Sequence, residues 1–370
     1  MSSSLMVSNS MEDLRLFVVR NSGGAASVAN LARSSSGASP SRHLPPSDET
    51  QTLSLKRLFT YPSHLSPITA VAASYPLAAS SSSGDSSVHL YHLPSSSSLG
   101  STPVPHPSTC LAFYSSGYLI SGSSDGNVSI FDTDPFVLLK SIPMGRGKSG
   151  GLCLNDVAVH RSGRLALAVG RGRKKGGGWL GMVNLVRGRK CYVGGGLGGE
   201  GRLVGWAGEG GFYTVVDDGR LRWHAAEDAR RIWEVECDKR ILCTEAATLS
   251  GLIYTGGEDR SITAWDINSG KAAFTIDSAH SSRVKGIVIL SESAEASGDD
   301  ALPYLVSSAS SDGVIRIWDV RAAMKERPNP LAEVNTKSRI TCLAGTSFKT
   351  LKRKRAGGKD LQEDDPSKEM

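Results

Sequence analysis

Residues 305–320 read LVSSASSDGVIRIWDV, and this stretch decides the fold. It is two short strands, 305–309 and 314–318, around a Ser311-Asp312-Gly313 bend, where Asp bonds its own backbone and Gly tolerates positive φ. In the second strand Val314, Arg316 and Trp318 alternate with Ile315 and Ile317. The phrase returns as LISGSSDGNVSIFDT (119–133) and LIYTGGEDRSITAWDI (252–267), and more weakly as AASSSSGDSSVHLYHL (78–93) and VVDDGRLRWH (215–224). One supersecondary unit recurring along a chain is the mark of a repeat architecture.

The spacing specifies which one. The turn aspartates are read as Asp85, Asp125, Asp217, Asp259 and Asp312, with gaps of 40, 92, 42 and 53 residues. WD-repeat blades run about 40–45 residues, so the long gap holds a hidden blade and the last one an insertion, SESAEASGDDA (291–301). An aromatic follows each Asp by six: Tyr91, Phe131, Trp223, Trp265 and Trp318. Strand-sized apolar runs separated by Gly and Ser, with no long 3.6-residue periodicity, agree with an all-β chain.

The expectation is a seven-bladed β-propeller over 53–347, between a Ser-rich segment (1–52) and a charged tail (348–370). Both flanks read as mostly disordered, with a closing strand at 11–20 in the first. The hidden third blade starts near Leu154; in it RGRKKGGGW (171–179) replaces the usual Ser-Asp-Gly turn. SRITCLAGTS (338–347) is an inner strand with nothing after it to complete a blade, so the ring is expected to close on 11–20 and 51–59, hiding its sheet edges.

The recurring polar residues read as structure, because an active site occurs once and these return blade after blade. A buried set of His280, Ser308, Asp312 and Trp318 is expected in the sixth blade, and Thr255, Asp259 and Trp265, without a His, in the fifth; His64 stands at the matching place in the first. Cys110, Cys243 and Cys342 occupy matching places and read as small buried hydrophobes; none of the six cysteines forms a CxxC or CxxH pattern. GRGKS (145–149) resembles the end of a P-loop, but the motif needs Gly where Ile142 stands. No catalytic constellation is evident, so the chain reads as a non-enzyme without cofactor or metal. No signal peptide or membrane span is visible, which points to the cytosol or nucleus.

Two charged stretches stand out. Residues 140–190 hold twelve basic residues and one acid, Asp156, a net +11 against +6 for the whole chain. Arg171, Arg173, Lys174 and Lys175 are its densest part and the candidate contact with RNA or another polyanion, with Trp179 as the sole aromatic beside them; a solvated basic face is the alternative. Lys352, Arg353, Lys354 and Arg355 form a candidate nuclear import signal.

NDVAVHRSGRLALAVG with NLVRGRK, HSSRVKGIVIL with LVSSASSDGVIRIWDV, and LAEVNTKSRITCLAG resemble the PAK-interacting-protein-1-like family of WD-repeat proteins, which includes the maintenance-of-killer ribosome-assembly factor. The resemblance covers roughly 55–347. It implies a seven-bladed propeller, a nuclear and nucleolar location, and a scaffold role in rRNA maturation and assembly of the large ribosomal subunit. The partners it implies are pre-60S ribosomal proteins and assembly factors, with rRNA as a further one, around a monomer inside a larger complex. Animal relatives are also described as negative regulators of a p21-activated kinase. A third expectation, a substrate receptor of a cullin-RING ubiquitin ligase, rests on WDVR, in which Trp318, Asp319 and Arg321 match a WDxR ending.

Overall fold

In the computed structural model, the described residues are 14–20, 25–34, 52–62, 64–145, 152–172, 177–290, 305–320 and 328–347. They form an all-β propeller. Six antiparallel four-stranded sheets follow one another in the chain, each beginning with its innermost strand. Those inner strands are Ile68–Ser74, Ser108–Tyr114, Cys153–Val159, Gly201–Trp206, Ile241–Ala247 and Val284–Ile289. They open blades 1 to 6 in that order, and the remaining three strands of each blade run outward as a meander.

Burial follows position in the blade. The second strands Leu77–Ser82, Gly211–Val216, Leu252–Gly257 and Leu305–Ser310 are buried at every residue, which is why their sequences are unbroken runs of small and apolar side chains. The outermost strands Ser97–Pro103, Phe136–Pro143 and Arg231–Glu236 are largely exposed and carry polar residues. The core lies between neighbouring blades. Cys110, Ile120, Val128 and Ile130 of blade 2, for example, pack with Leu154, Val157 and Ala168 of blade 3. Each Leu, Ile or Val buried in this way contributes about 1.5–3 kcal/mol.

Ile340–Ser347 is wedged between the last blade and the first. Its Ile340 and Leu343 pack with Leu290, Leu305 and Ile315 of blade 6, and its Ala344 packs with Ile68, Ala78 and Tyr91 of blade 1. Thr341 Oγ1 donates to the Ile68 carbonyl at 2.9 Å, and Tyr75 N–H to Thr346 Oγ1 at 3.0 Å. Three N-terminal strands extend this strand outward by main-chain pairing: Leu14–Arg20, Ala25–Ser34 and Thr52–Pro62.

Two expectations are corrected. Seven blades were expected, the last closing 338–347 on 11–20 and 51–59; six are continuous in the chain, and Ile340–Ser347 pairs with Leu14–Arg20, followed outward by Ala25–Ser34, which was not expected, and Thr52–Pro62. The Ser-rich stretch read as unstructured contains the ten-residue strand Ala25–Ser34. Its composition does not announce a strand, because pairing with Leu14–Arg20 and Thr52–Pro62 supplies what its side chains do not. Residues 348–370, and with them Lys352, Arg353, Lys354 and Arg355, lie outside the described residues.

Candidate functional site

The recurrent polar sets are hydrogen-bonded within their own blades, and the most complete one is in one of the two weaker sequence copies, 78–93. In blade 1 His64 Nδ1 lies 2.9 Å from Asp85 Oδ2 and its Nε2 2.8 Å from Ser80 Oγ, which is 3.0 Å from the Tyr91 hydroxyl. Tyr91 stands where blades 5 and 6 have Trp. In blade 6 His280 Nε2 lies 2.7 Å from Ser308 Oγ, and Trp318 Nε1–H donates to the same oxygen at 2.8 Å. Asp312, expected to complete this set, instead accepts from Ser281 Oγ at 2.6 Å and Val314 N–H at 2.9 Å. His280 Nδ1 is buried and has no hydrogen-bond partner among the described residues. In blade 5 Trp265 Nε1–H donates to Thr255 Oγ1 at 2.9 Å, while Asp259 accepts from Ser261.

Blade 4 corrects the register. Trp318 pairs across with Val306, two residues before Ser308, and Trp265 pairs with Ile253, two before Thr255. The residue in that position in blade 4 is His224, which pairs with Phe212 and lies 3.0 Å from Thr214 Oγ1 through Nε2. The turn acid six residues earlier is therefore Asp218, followed by Gly219 at φ +88°, as Asp312 is followed by Gly313 at φ +89°. Reading Asp217 and Trp223 as the repeat pair slips the strand by one residue, which exchanges its two faces. Asp217 is freed for another use, described below.

His64, Asp85 and His89 also bring metal-ligating atoms within 4.8 Å of one another. Both nitrogens of His64 are already engaged by Asp85 and Ser80, so the group reads as part of the blade's hydrogen-bond set. Cys110 and Cys243 are buried and Cys342 partly so. Burial pushes all three thiols up, Cys342 to about 12, which leaves them protonated and poor nucleophiles.

The other sequence candidates separate. Trp318 is 2% exposed and held by Ser308, so it cannot itself meet a ligase adaptor; Asp319 is half-buried, and Arg321 lies outside the described residues. Trp179 is also 2% exposed, its Nε1–H donating to the Cys153 and Arg171 carbonyls, so it is a core residue and not a platform for bases. Arg173, Lys174 and Lys175 lie outside the described residues, whereas Arg171 is exposed at the end of Leu165–Arg171. Arg161, Arg164, Arg187 and Arg189 sit at the far end of the same blade, about 20 Å away along a strand of this length. The basic segment thus divides between two faces. Part of it is consumed: Lys190 Nζ donates to the Gly145 carbonyl at 2.8 Å across the blade boundary, and Arg161 pairs with Glu209. Asp156 does not offset surface charge, because it turns inward to accept from Val157 and Val204 N–H, both at 2.9 Å.

The surface that sequence reasoning missed is a groove between blades 2 and 3, on the face opposite the Asp turns. It encloses about 490 Å³ and is lined by Tyr114, Tyr118, Leu139, Lys140, Val186 and Arg187 among others. Val186 is 74%, Leu139 52% and Tyr118 41% exposed. Its floor is set by Gly163, at φ +65°, where any side chain would run into the Tyr114 ring. Exposed apolar side chains with a cationic rim are the composition of a protein-docking site. No local signal marks them, since they come chiefly from three turns and the one outer strand Phe136–Pro143, which only the ring brings together.

A WD domain, G-beta repeat signature matches residues 99–132 and 274–319. The chain is 31% identical over 300 residues to a p21-activated protein kinase-interacting protein 1-like protein of Danio rerio, an alignment covering 80% of this chain and 75% of the relative. It is 29% identical over 289 residues to the protein of the same description from Gallus gallus, covering 77% and 72%. The p21-activated protein kinase-interacting protein 1 of Homo sapiens is 30% identical over 187 residues, covering 50% and 44%.

Proposed function

The chain belongs to the p21-activated protein kinase-interacting protein 1-like family of WD-repeat proteins, and on that premise we propose that it is a non-enzymatic scaffold for assembly of the large ribosomal subunit in the nucleolus. The observation that carries the scaffold reading is the groove between blades 2 and 3: an exposed apolar floor under Lys140 and Arg187, with Arg164 and Arg189 exposed at the neighbouring turns. A rigid ring of this kind holds partners by surface complementarity and needs no chemistry of its own. The ribosomal assignment is supported by the family resemblance carried by 155–170, 280–290 and 305–320, and by the basic character of 140–190. We count the terminal sheet as the seventh blade of the ring.

Depletion of the protein tests the reading: large-subunit rRNA precursors should accumulate or mature late, and mature large subunits should fall. Normal large-subunit levels after full depletion would overturn it. In the same cells Leu139→Asp with Val186→Asp should release pre-ribosomal partners that co-purify with the wild-type chain. Changing Lys352, Arg353, Lys354 and Arg355 to Ala should move the protein toward the cytoplasm.

A second reading, binding of a p21-activated kinase, is favoured by the names of the relatives. Capture of such a kinase by the purified chain, abolished by the same groove substitutions, would establish it.

A further inference from the structure

Each inner strand carries one extra residue near its start. The register shifts between Ile68 and Ala70, Ser108 and Cys110, Leu154 and Asp156, Gly201 and Leu203, Ile241 and Cys243, and Val284 and Gly286. In Ile340–Ser347 the same shift skips Thr341. A bulge of this kind re-aims the extra side chain. Here the extra residues are Thr69, Thr109, Asn155, Arg202, Leu242, Lys285 and Thr341.

On one side of the ring they act as latches. Thr341 Oγ1 donates to the Ile68 carbonyl at 2.9 Å, Thr69 Oγ1 to Ser108 at 3.4 Å, Thr109 Oγ1 to Leu154 at 2.7 Å and Asn155 Nδ2 to Gly201 at 2.8 Å. Each ties one blade to the inner strand of the next. In blades 4 to 6 the position holds Arg202, Leu242 and Lys285, and the pattern stops. Those three residues, with Arg240 and Arg283, line an opening of about 450 Å³ on the Asp-turn face. This lies within the usual range of ligand clefts, about 300–1,000 Å³.

The charges in it are unevenly matched. Arg202 pairs with Asp217 at 3.0 Å and with Glu200 at 3.7 Å, and Arg240 reaches Asp217 at 3.7 Å. Arg283 and Lys285 have no ion-pair partner within 4.0 Å among the described residues. Burial holds the Lys285 ammonium below its ordinary range, and Arg283 and Arg339 press it further down. An arriving anion would relieve that repulsion.

We propose that the central opening over blades 4 to 6 binds an acidic segment of a partner protein, with one of its carboxylates seated between Arg283 and Lys285. The lining favours a peptide over an RNA strand. Asp217 and Glu258 stand in the same opening and repel a continuous run of phosphates. A peptide sets its carboxylate on the cations, turns backbone N–H groups toward the two acids, and rests apolar atoms on Leu203, Ile241 and Leu242. The site lies on the opposite face from the groove between blades 2 and 3, so it adds a second partner to the scaffold without depending on the first.

Fluorescence anisotropy with the full chain tests it, using fluorescein-labelled hexaglutamate and, separately, labelled oligouridine of the same length at low salt. Hexaglutamate should bind saturably and Arg283→Ala with Lys285→Ala should weaken it at least tenfold. Glu258→Gln, which removes a competing negative charge, should tighten it severalfold, a gain that misfolding cannot produce. Arg187→Ser, on the other face, should leave it unchanged. Absence of saturable hexaglutamate binding, equal binding by the double variant, weaker binding by Glu258→Gln, or a site that takes oligouridine and not hexaglutamate would each overturn the proposal.

Discussion

Thr341 and Ile68 are separated by 273 residues and joined by one hydrogen bond, from the threonine hydroxyl to the isoleucine carbonyl at 2.9 Å. It is the same bond that links blades 1 to 2 and 2 to 3, and here it closes the ring. Thr341→Val keeps the shape and removes the donor, so it should lower unfolding free energy by about 0.5–1.5 kcal/mol in urea titration. Thr341→Ser should restore most of the loss. If Val is as stable as the wild type, closure rests on the apolar contacts of Ile340 and Leu343 alone.

His280 gives blade 6 a pH dependence of defined sign. Burial lowers its imidazole from 6.5 to about 4, because a charge there would be poorly hydrated and Ser308 already takes the Trp318 proton. The folded state therefore binds fewer protons than the unfolded chain between about pH 4 and 6.5. Stability from this group is complete above pH 6.5 and is lost as pH falls toward 4, by as much as about 3 kcal/mol. His280→Gln should flatten the denaturation midpoint against pH over that window; an unchanged slope would show that His280 takes no part in it.

Asp156 works in the opposite sense. Burial raises its carboxyl from 3.8 to about 7, against the two backbone N–H groups that favour the anion. A raised folded value means that the folded state binds more protons, so stability falls as pH rises from about 4 to 7. Asp156→Asn cannot ionise and retains an acceptor for Val204 N–H. It should be more stable than the wild type by about 1–3 kcal/mol at pH 8, with the advantage shrinking toward pH 4. Equal midpoints at both pH values would contradict the assignment.

Arg171 stands at the exposed end of its strand on the Asp-turn face, next in the chain to Arg173, Lys174 and Lys175. Changing these four to Ser should weaken binding of structured RNA and reduce the salt slope by up to about three or four units, roughly one per lost phosphate contact. The melting temperature should stay nearly constant. An unaltered slope would make this stretch a solvated rim.

The sequence by itself determined the all-β repeat architecture. A tight Asp-Gly turn between two strands is a local event, written in six to sixteen residues, and its return every forty or so residues can only build a radial repeat. The same locality explains the correct reading of Ser308 and Trp318 as partners, which sit on adjoining strands of one hairpin. It also explains the slip in blade 4, where Asp217 and Asp218 stand side by side and only strand pairing shows which one turns the chain. The tertiary structure alone decided three other things. It buried Trp179, which composition left available for contact; it divided the basic residues of 140–190 between opposite faces; and it gathered Arg202, Arg240, Arg283 and Lys285 around one opening. Residues dozens of positions apart in the chain become neighbours there because the ring repeats each blade at nearly the same radius, and a bulge at each inner strand turns one more side chain toward the axis. Which of those side chains latch and which remain charged is legible only once the blades are laid side by side.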